Sequence, residues 1–242
     1  MTSDSFSSLS RCLLLRSFWQ GVFTVVLCLP LLAACSSPNE ASAAVGCAQV
    51  SSPCLQGQAT VLMRTSRGDV TLELDGDAAP VTAGNFLDLV RRGVYNGTVF
   101  HRVVREPVPF VVQGGDPASK EPNTPRSAYG RGSFVDPANG QARMIPLEVK
   151  FSNEPEPRYS RVTTNPSDLL KIQLAHDRGA LAMARSQDPD SASAQFYIAL
   201  KPLPELDGRY AVFGRVVKGM EVIDAIQADD RINTAEVLTP AT

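Results

Sequence analysis

The sequence is poor in the side chains from which metal sites and nucleophilic triads are built. Across 242 residues it has two histidines, five cysteines and one tryptophan. Cys12, Cys28, Cys35, Cys47 and Cys54 form no CxxC pair and have no histidine at ligand spacing, so no structural zinc or other metal is expected. No serine lies in a G-x-S-x-G elbow, which removes the usual Ser-His hydrolase. Gly114-Gly115-Asp116 is followed by neither a lysine nor a Ser- or Thr-led helix and is no phosphate cradle. Asp188-Pro189-Asp190-Ser191 lacks the glycine and distal glutamate of a calcium loop and reads as a turn. His101, inside an apolar run, reads as a satisfied core residue. Excess charge is lacking too: 23 basic against 25 acidic residues leave a net charge of -2, without the basic field that gathers nucleic acid. No cofactor is implied.

What is present is the composition of a folded domain, 43% hydrophobic and 20% charged, in a length that suits one domain or at most two small ones. Residues 1–34 read as a targeting segment, with Arg11 and Arg16 ahead of an uncharged run from Ser17 to Ala34. The run ends in Leu32-Ala33-Ala34-Cys35, which resembles the bacterial lipoprotein processing site and makes Cys35 the lipidated residue. Cleavage after Ala41-Ser42-Ala43 and an uncleaved anchor are the alternatives, the second weakened by Pro30. Residues 35–56, rich in Ser, Ala and Pro, read as a flexible tether, and 57–242 as the functional domain. An exported location permits a Cys47–Cys54 disulfide, worth about 2 kcal/mol for so short a loop. Two free thiols are the other reading.

From Ala59 the pattern is strand-like, and Asp69-Val70-Thr71-Leu72-Glu73-Leu74 alternates cleanly before the turn residues Asp75-Gly76-Asp77. A helix follows: Pro80 suits its first turn, Ala83, Phe86, Leu87, Val90 and Val94 recur at helical spacing, and Gly93 stops it. Further strands are expected over 99–104, 110–113, 180–184, 196–200, 210–214 and 234–238, with a second helix over Gly219 to Gln227. Many short strands with two good helices point to a mainly antiparallel barrel or sandwich. Between Pro117 and Arg178 the chain is rich in Pro, Gly, Asn and Ser, with one helical patch near Ser167 to Leu174, and reads as loop rather than core.

Polar residues stand out within apolar strands. Arg102 interrupts Phe100 to Val104, Gln113 ends one strand, and Gln195 begins another two residues before Tyr197. A period of two puts Gln195 and Tyr197 on one face, and Val111 and Gln113 on one face. Either these groups converge on a half-polar groove, or Arg102 lies along a sheet edge with its stem packed. Periodicity alone leaves both readings open.

The ordered blocks Phe100-His101-Arg102-Val103-Val104, Phe110-Val111-Val112-Gln113-Gly114-Gly115-Asp116, Met183-Ala184-Arg185, Ser193-Ala194-Gln195-Phe196-Tyr197-Ile198 and Leu206-Asp207-Gly208-Arg209-Tyr210-Ala211-Val212-Phe213-Gly214 resemble those of the cyclophilins, from about Ala59 to Leu238. The resemblance implies a closed eight-stranded antiparallel barrel capped by two α-helices, here with a long loop insertion, and peptidyl-prolyl cis-trans isomerase activity on proline-containing polypeptides. It makes Arg102 and Gln113 catalytic, and assigns substrate binding to Phe110, Val111, Ala184, Arg185, Gln195, Tyr197, Leu206 and Tyr210. Val111 stands where methionine is common in the family, Tyr197 where phenylalanine is, Arg185 where asparagine is and Tyr210 where many members have histidine. Glu205 takes the place of a tryptophan.

The expected protein is thus a monomeric isomerase held by lipid on the periplasmic side of a bacterial membrane. The alternative is a binding module or holdase on the same fold. For the anchor, Cys35→Ser should abolish acyl labelling in cells and leave a longer precursor on intact-mass analysis. Cleavage well downstream with no acyl mass on the native chain would refute the lipid assignment.

Overall fold

The computed structural model describes residues 46–48, 50 and 52–239, so the expected targeting segment and Cys35 lie outside the described residues. Strand β1 (Gln58–Thr65) and strand β2 (Gly68–Asp75) form a hairpin through Ser66-Arg67. Their alternation is the expected one: Ala59, Val61 and Met63 face inward with Val70, Leu72 and Leu74. Helix α1 (Pro80–Arg91) follows, then β3 (Arg102–Val103), β4 (Val111–Gly114), β5 (Val135–Asp136), β6 (Gln141–Ala142), β7 (Glu148–Val149) and β8 (Arg158–Tyr159). The one-turn α2 (Pro166–Leu169), β9 (Ala180–Met183), β10 (Phe196–Ala199), β11 (Val212–Lys218), α3 (Met220–Ala225) and β12 (Ile232–Thr239) complete the chain.

Eight strands form one curled antiparallel sheet in the order β12-β1-β2-β11-β9-β10-β4-β3. The sheet is open, which corrects the closed barrel. The strand expected over 99–104 is divided: Val99 bridges Arg231, with Phe100 N–H donating to Asp230 O at 2.8 Å, while only Arg102 and Val103 pair with β4. Val99 and Phe100 are thus engaged with the segment leading into β12, and Arg102 and Val103 with β4, so no continuous ladder joins the β3 and β12 edges. The concave side is filled by α1, whose Phe86 packs against Tyr95, Phe196 and Phe213 at centroid distances of 4.9, 5.4 and 5.1 Å.

The 117–178 region corrects the loop reading. Ile145, Leu147, Val149 and Phe151 are buried, and Pro146 and Glu148 between them are buried too; the apolar alternation is one that Pro146 and the surrounding turn residues obscure. Leu147, Val149 and Phe151 form a small core with Ala211. Two side chains fasten the region to α1. Arg143, 5% exposed, pairs with Asp88 of the helix at 2.6 Å and with Asp136 at 2.8 Å, its guanidinium 4.7 Å over the Phe134 ring. Glu148, 1% exposed, accepts from Val81 N–H at 3.1 Å and Thr82 N–H at 2.9 Å. Residue 79, ahead of α1, is an alanine and offers no side-chain cap, so a carboxylate from 66 residues downstream satisfies the orphan donors and meets the positive end of the helix dipole.

The segment assigned to the tether is docked from Ser52 onward. Ser52 and Leu55 are buried, Leu55 N–H donates to Pro80 O at 3.0 Å, and Cys54 is disulfide-bonded to Cys47 with a Cα–Cα distance of 5.8 Å. Gly84 on α1 makes room for it: a Cβ there would lie 2.1 Å from Pro53 O.

Burial pushes the Glu148 carboxyl above its ordinary range, against the pull of its backbone and side-chain donors. The folded chain therefore binds more protons there than the unfolded chain, and this contribution to stability falls as pH rises beyond the normal carboxylate range. From pH 5 to pH 8 the wild type should lose more melting temperature than Glu148→Gln, and equal slopes would refute the assignment. Glu148→Ala, which orphans both buried donors, should cost about 2–3 kcal/mol by denaturant titration.

Candidate functional site

Sheet register decides which side chains meet. Arg102 on β3 pairs with Gln113 on β4, Gln113 with Tyr197 on β10, Tyr197 with Ala182 on β9, and Ala182 with Val212 on β11. Directly paired residues share a face of the sheet, so this row stands on one side of it. Val111, Ala180 and Ala199, two positions away along their strands, join the row in a small apolar cluster with Leu203, Phe110, Leu206 and Tyr210. The intervening residues Val112, Leu181, Met183, Phe196, Ile198 and Phe213 belong to the main core.

The row opens into a groove of about 230 Å³ lined by Arg102, Phe110, Val111, Gln113, Ala184, Arg185, Tyr197, Leu206 and Tyr210. The structure thus brings together every expected site residue in the described part of the chain except Gln195. Gln195 lines an adjoining groove of about 410 Å³, which shares Gln113, Ala184 and Arg185 with the first and adds Arg131, Ser133, Met144, Ser191 and Ser193. Sequence reasoning assigned none of those five a site role, although Ser193 opens one of the resemblance blocks and Ser191 ends the turn after Arg185. They sit in turn-rich segments without periodicity, and tertiary placement alone brings them to the site.

A line of amides joins the two grooves. Arg102 Nη1 donates to Gln113 Oε1 at 3.3 Å, Gln113 Nε2 to Gln195 Oε1 at 3.3 Å, and Gln195 Nε2 to Gly132 O at 2.8 Å. The Arg102 guanidinium also lies 5.7 Å over the Phe110 ring. Among the described residues this arginine has no carboxylate partner. Arg102 lines the groove and also stands on β3, an edge strand of the open sheet, so it has features of both readings. Arg185 is engaged differently. Its Nε and Nη2 donate to Arg209 O at 3.0 and 2.5 Å, Nη1 donates to Ser186 O at 2.8 Å, and its guanidinium lies 4.8 Å over Tyr210. Its side chain builds a wall and leaves Arg102 as the available cation of the first groove.

The groove holds no carboxylate, thiol or imidazole. The Tyr197 phenol is pushed well up by burial, with Tyr210 and Asp207 adding to the effect, and stays protonated. Nucleophilic and general-base chemistry thus have no group to act through, whereas a cation beside an apolar cleft can bind and polarise an amide. Among the described residues no three His, Cys, Asp or Glu side chains gather as metal ligands. His101 corrects its core reading: it is half-buried, neither ring nitrogen has a hydrogen-bond partner, and burial lowers its pKa.

Comparison with known proteins agrees with this geometry. The family described as cyclophilin-type peptidyl-prolyl cis-trans isomerase matches residues 60–241. A Synechocystis protein named as a thylakoid lumen peptidyl-prolyl cis-trans isomerase is 37% identical over 78% of this chain, which spans only 49% of that relative. A peptidyl-prolyl cis-trans isomerase of Acinetobacter baylyi is 34% identical over 69% of this chain and 70% of its own length. A Cryptosporidium parvum cyclophilin crystallised in the presence of the dipeptide Ala-Pro has a TM-score of 0.53 and 25% identity, covering 74% of this chain and 99% of that one. With a matching family over most of the domain, relatives above 30% identity and the same fold, the chain belongs to the cyclophilin-type peptidyl-prolyl cis-trans isomerases.

Proposed function

We propose that the groove binds Xaa-Pro segments of polypeptides and speeds rotation about their imide bond through Arg102. The observation that carries this reading is the cross-strand row that sets a carboxylate-free guanidinium, through Gln113, beside an apolar cleft. Rotation about a peptide bond faces roughly 18–20 kcal/mol because the nitrogen lone pair is delocalised into the carbonyl. A donor placed at the prolyl nitrogen holds that lone pair localised as the amide twists, so its interaction is strongest in the transition state. Phe110, Val111, Leu206 and the ring of Tyr197 supply apolar surface for the pyrrolidine ring. Gln113 aims the guanidinium, and Gln195 fixes the Gln113 amide. Ala184 and the backbone of Arg185 border the residue before proline. The Ala-Pro dipeptide used with the Cryptosporidium relative is a ligand of the class this cleft suits.

The chain reads as an exported enzyme. Arg11, Arg16 and the uncharged run to Ala34 have the form of a secretory signal, the Cys47–Cys54 disulfide suits an oxidising compartment, and the Synechocystis relative is named for a lumen. Lipid attachment at Cys35 places the domain at a membrane surface, where its clients are newly exported chains.

Arg102→Ala should lower kcat/KM for a short Xaa-Pro peptide about a hundred- to thousand-fold, from loss of about 3–4 kcal/mol of transition-state stabilisation. Arg102→Lys should recover little, because a point charge lacks the planar fork that engages Gln113 and substrate together. Melting temperature should hardly move, since the side chain is exposed. Near-normal turnover by a well-folded Arg102→Ala would refute the mechanism and favour the binding-module reading.

A further inference from the structure

From the hydroxyl of Tyr197, of which the isomerase reading uses the ring alone, a polar chain runs away from the groove. Tyr197 and His176 are 4% and 2% exposed. The Tyr197 hydroxyl is 2.8 Å from His176 Nε2, and His176 Nδ1 is 2.7 Å from Asp207 Oδ1. The same Asp207 oxygen accepts the His176 backbone N–H at 2.8 Å, and Leu203 N–H donates to His176 O at 2.8 Å. An ionised carboxylate can only accept, so Nδ1 carries a proton, and in the neutral imidazole Nε2 then accepts from the phenol. The imidazole and phenol rings are nearly parallel, 13° apart at 5.9 Å between centroids.

The position of Asp207 gives this chain its consequence. It lies in the segment that carries Leu206 and Tyr210, two lining residues of the groove, and Tyr210 packs edge-on against Tyr197 at 5.8 Å. The hydrogen bonds therefore run from the strand under the groove to the loop that walls it. A phenylalanine at 197 would fill the same space with no demand on His176. A tyrosine must satisfy a buried hydroxyl, and does so through a partner clamped to the opposite wall. Resting on the isomerase reading, we propose that Asp207, His176 and Tyr197 form a brace that fixes the groove's width and so selects the ring size accepted at the proline position. His176 is a positioning residue, with no contact to substrate.

The test compares the full chain on two peptides that differ only in carrying proline or the six-membered pipecolic acid, with isomerisation followed by NMR exchange. The wild type should prefer proline. In His176→Gln and in Tyr197→Phe the ratio of the two kcat/KM values should fall about fivefold or more, mainly through KM, because a single ring methylene is then sensed by a looser wall. The double variant should fall no further than either single one. Turnover with an unchanged ratio in folded variants would overturn the brace alone, and absence of wild-type turnover on both peptides would overturn the isomerase reading with it. Nitrogen-15 NMR of the wild type checks the brace without substitutions. His176 should carry its proton on Nδ1, and its Nε2 resonance should move when the prolyl peptide is added. An Nε2–H tautomer, or a resonance indifferent to the peptide, would refute it.

Discussion

A β-strand presents successive side chains to opposite faces, and here β4, β9 and β10 have both faces occupied by different tasks. Val112, Leu181, Phe196 and Ile198 pack into the main core, while Val111, Gln113, Ala182 and Tyr197 stand on the groove side. Site and core are therefore held in one register, and a one-residue slip would exchange them. Gly114 and Gly115 tighten the arrangement at the end of β4. A Cβ on Gly115 would come within 2.7 Å of the Phe196 ring, so the turn beyond Gln113 closes directly against the core.

Around this sheet the fold relies on long-range polar clamps where local sequence supplies none. Glu148 caps α1 from β7, Arg143 ties the same region to Asp88, and Asp116, fully buried, accepts from Ala118, Gly130 and Gly132 N–H groups. Gly130 and Gly132 line the groove next to Gln113, so the Asp116 carboxylate shapes the rim to which Gln195 is bonded. The residues between 117 and 178 thus act as a belt that joins helix and groove rim.

These clamps mark the limit of what the sequence discloses. β2 and α1 are legible because their apolar positions follow a strict period of two or of three and four, and Arg102 and Gln113 are legible because each is polar within a short apolar run. The alternation from Ile145 to Phe151 is equally regular, yet Pro146 and the dense turn residues around it mask the pattern. Glu148 and His176 carry no local mark at all, since their partners lie 66 and 31 residues away. The open seam has the same character: Phe100 could as well have continued β3, and its bond to Asp230 belongs to a pairing between distant parts of the chain.

The edge-on pair of Tyr197 and Tyr210 has an optical consequence. The single tryptophan, Trp19, lies outside residues 60–241 that the family model matches, so tyrosines are the indole-free domain's fluorophores: Tyr95, Tyr129, Tyr159, Tyr197 and Tyr210. Two of the five line one groove, 5.8 Å apart, one with its hydroxyl on an imidazole and the other under a guanidinium. Proton-accepting and cationic neighbours alter phenol emission, so the near-ultraviolet fluorescence of this pair depends on the surroundings of the cleft.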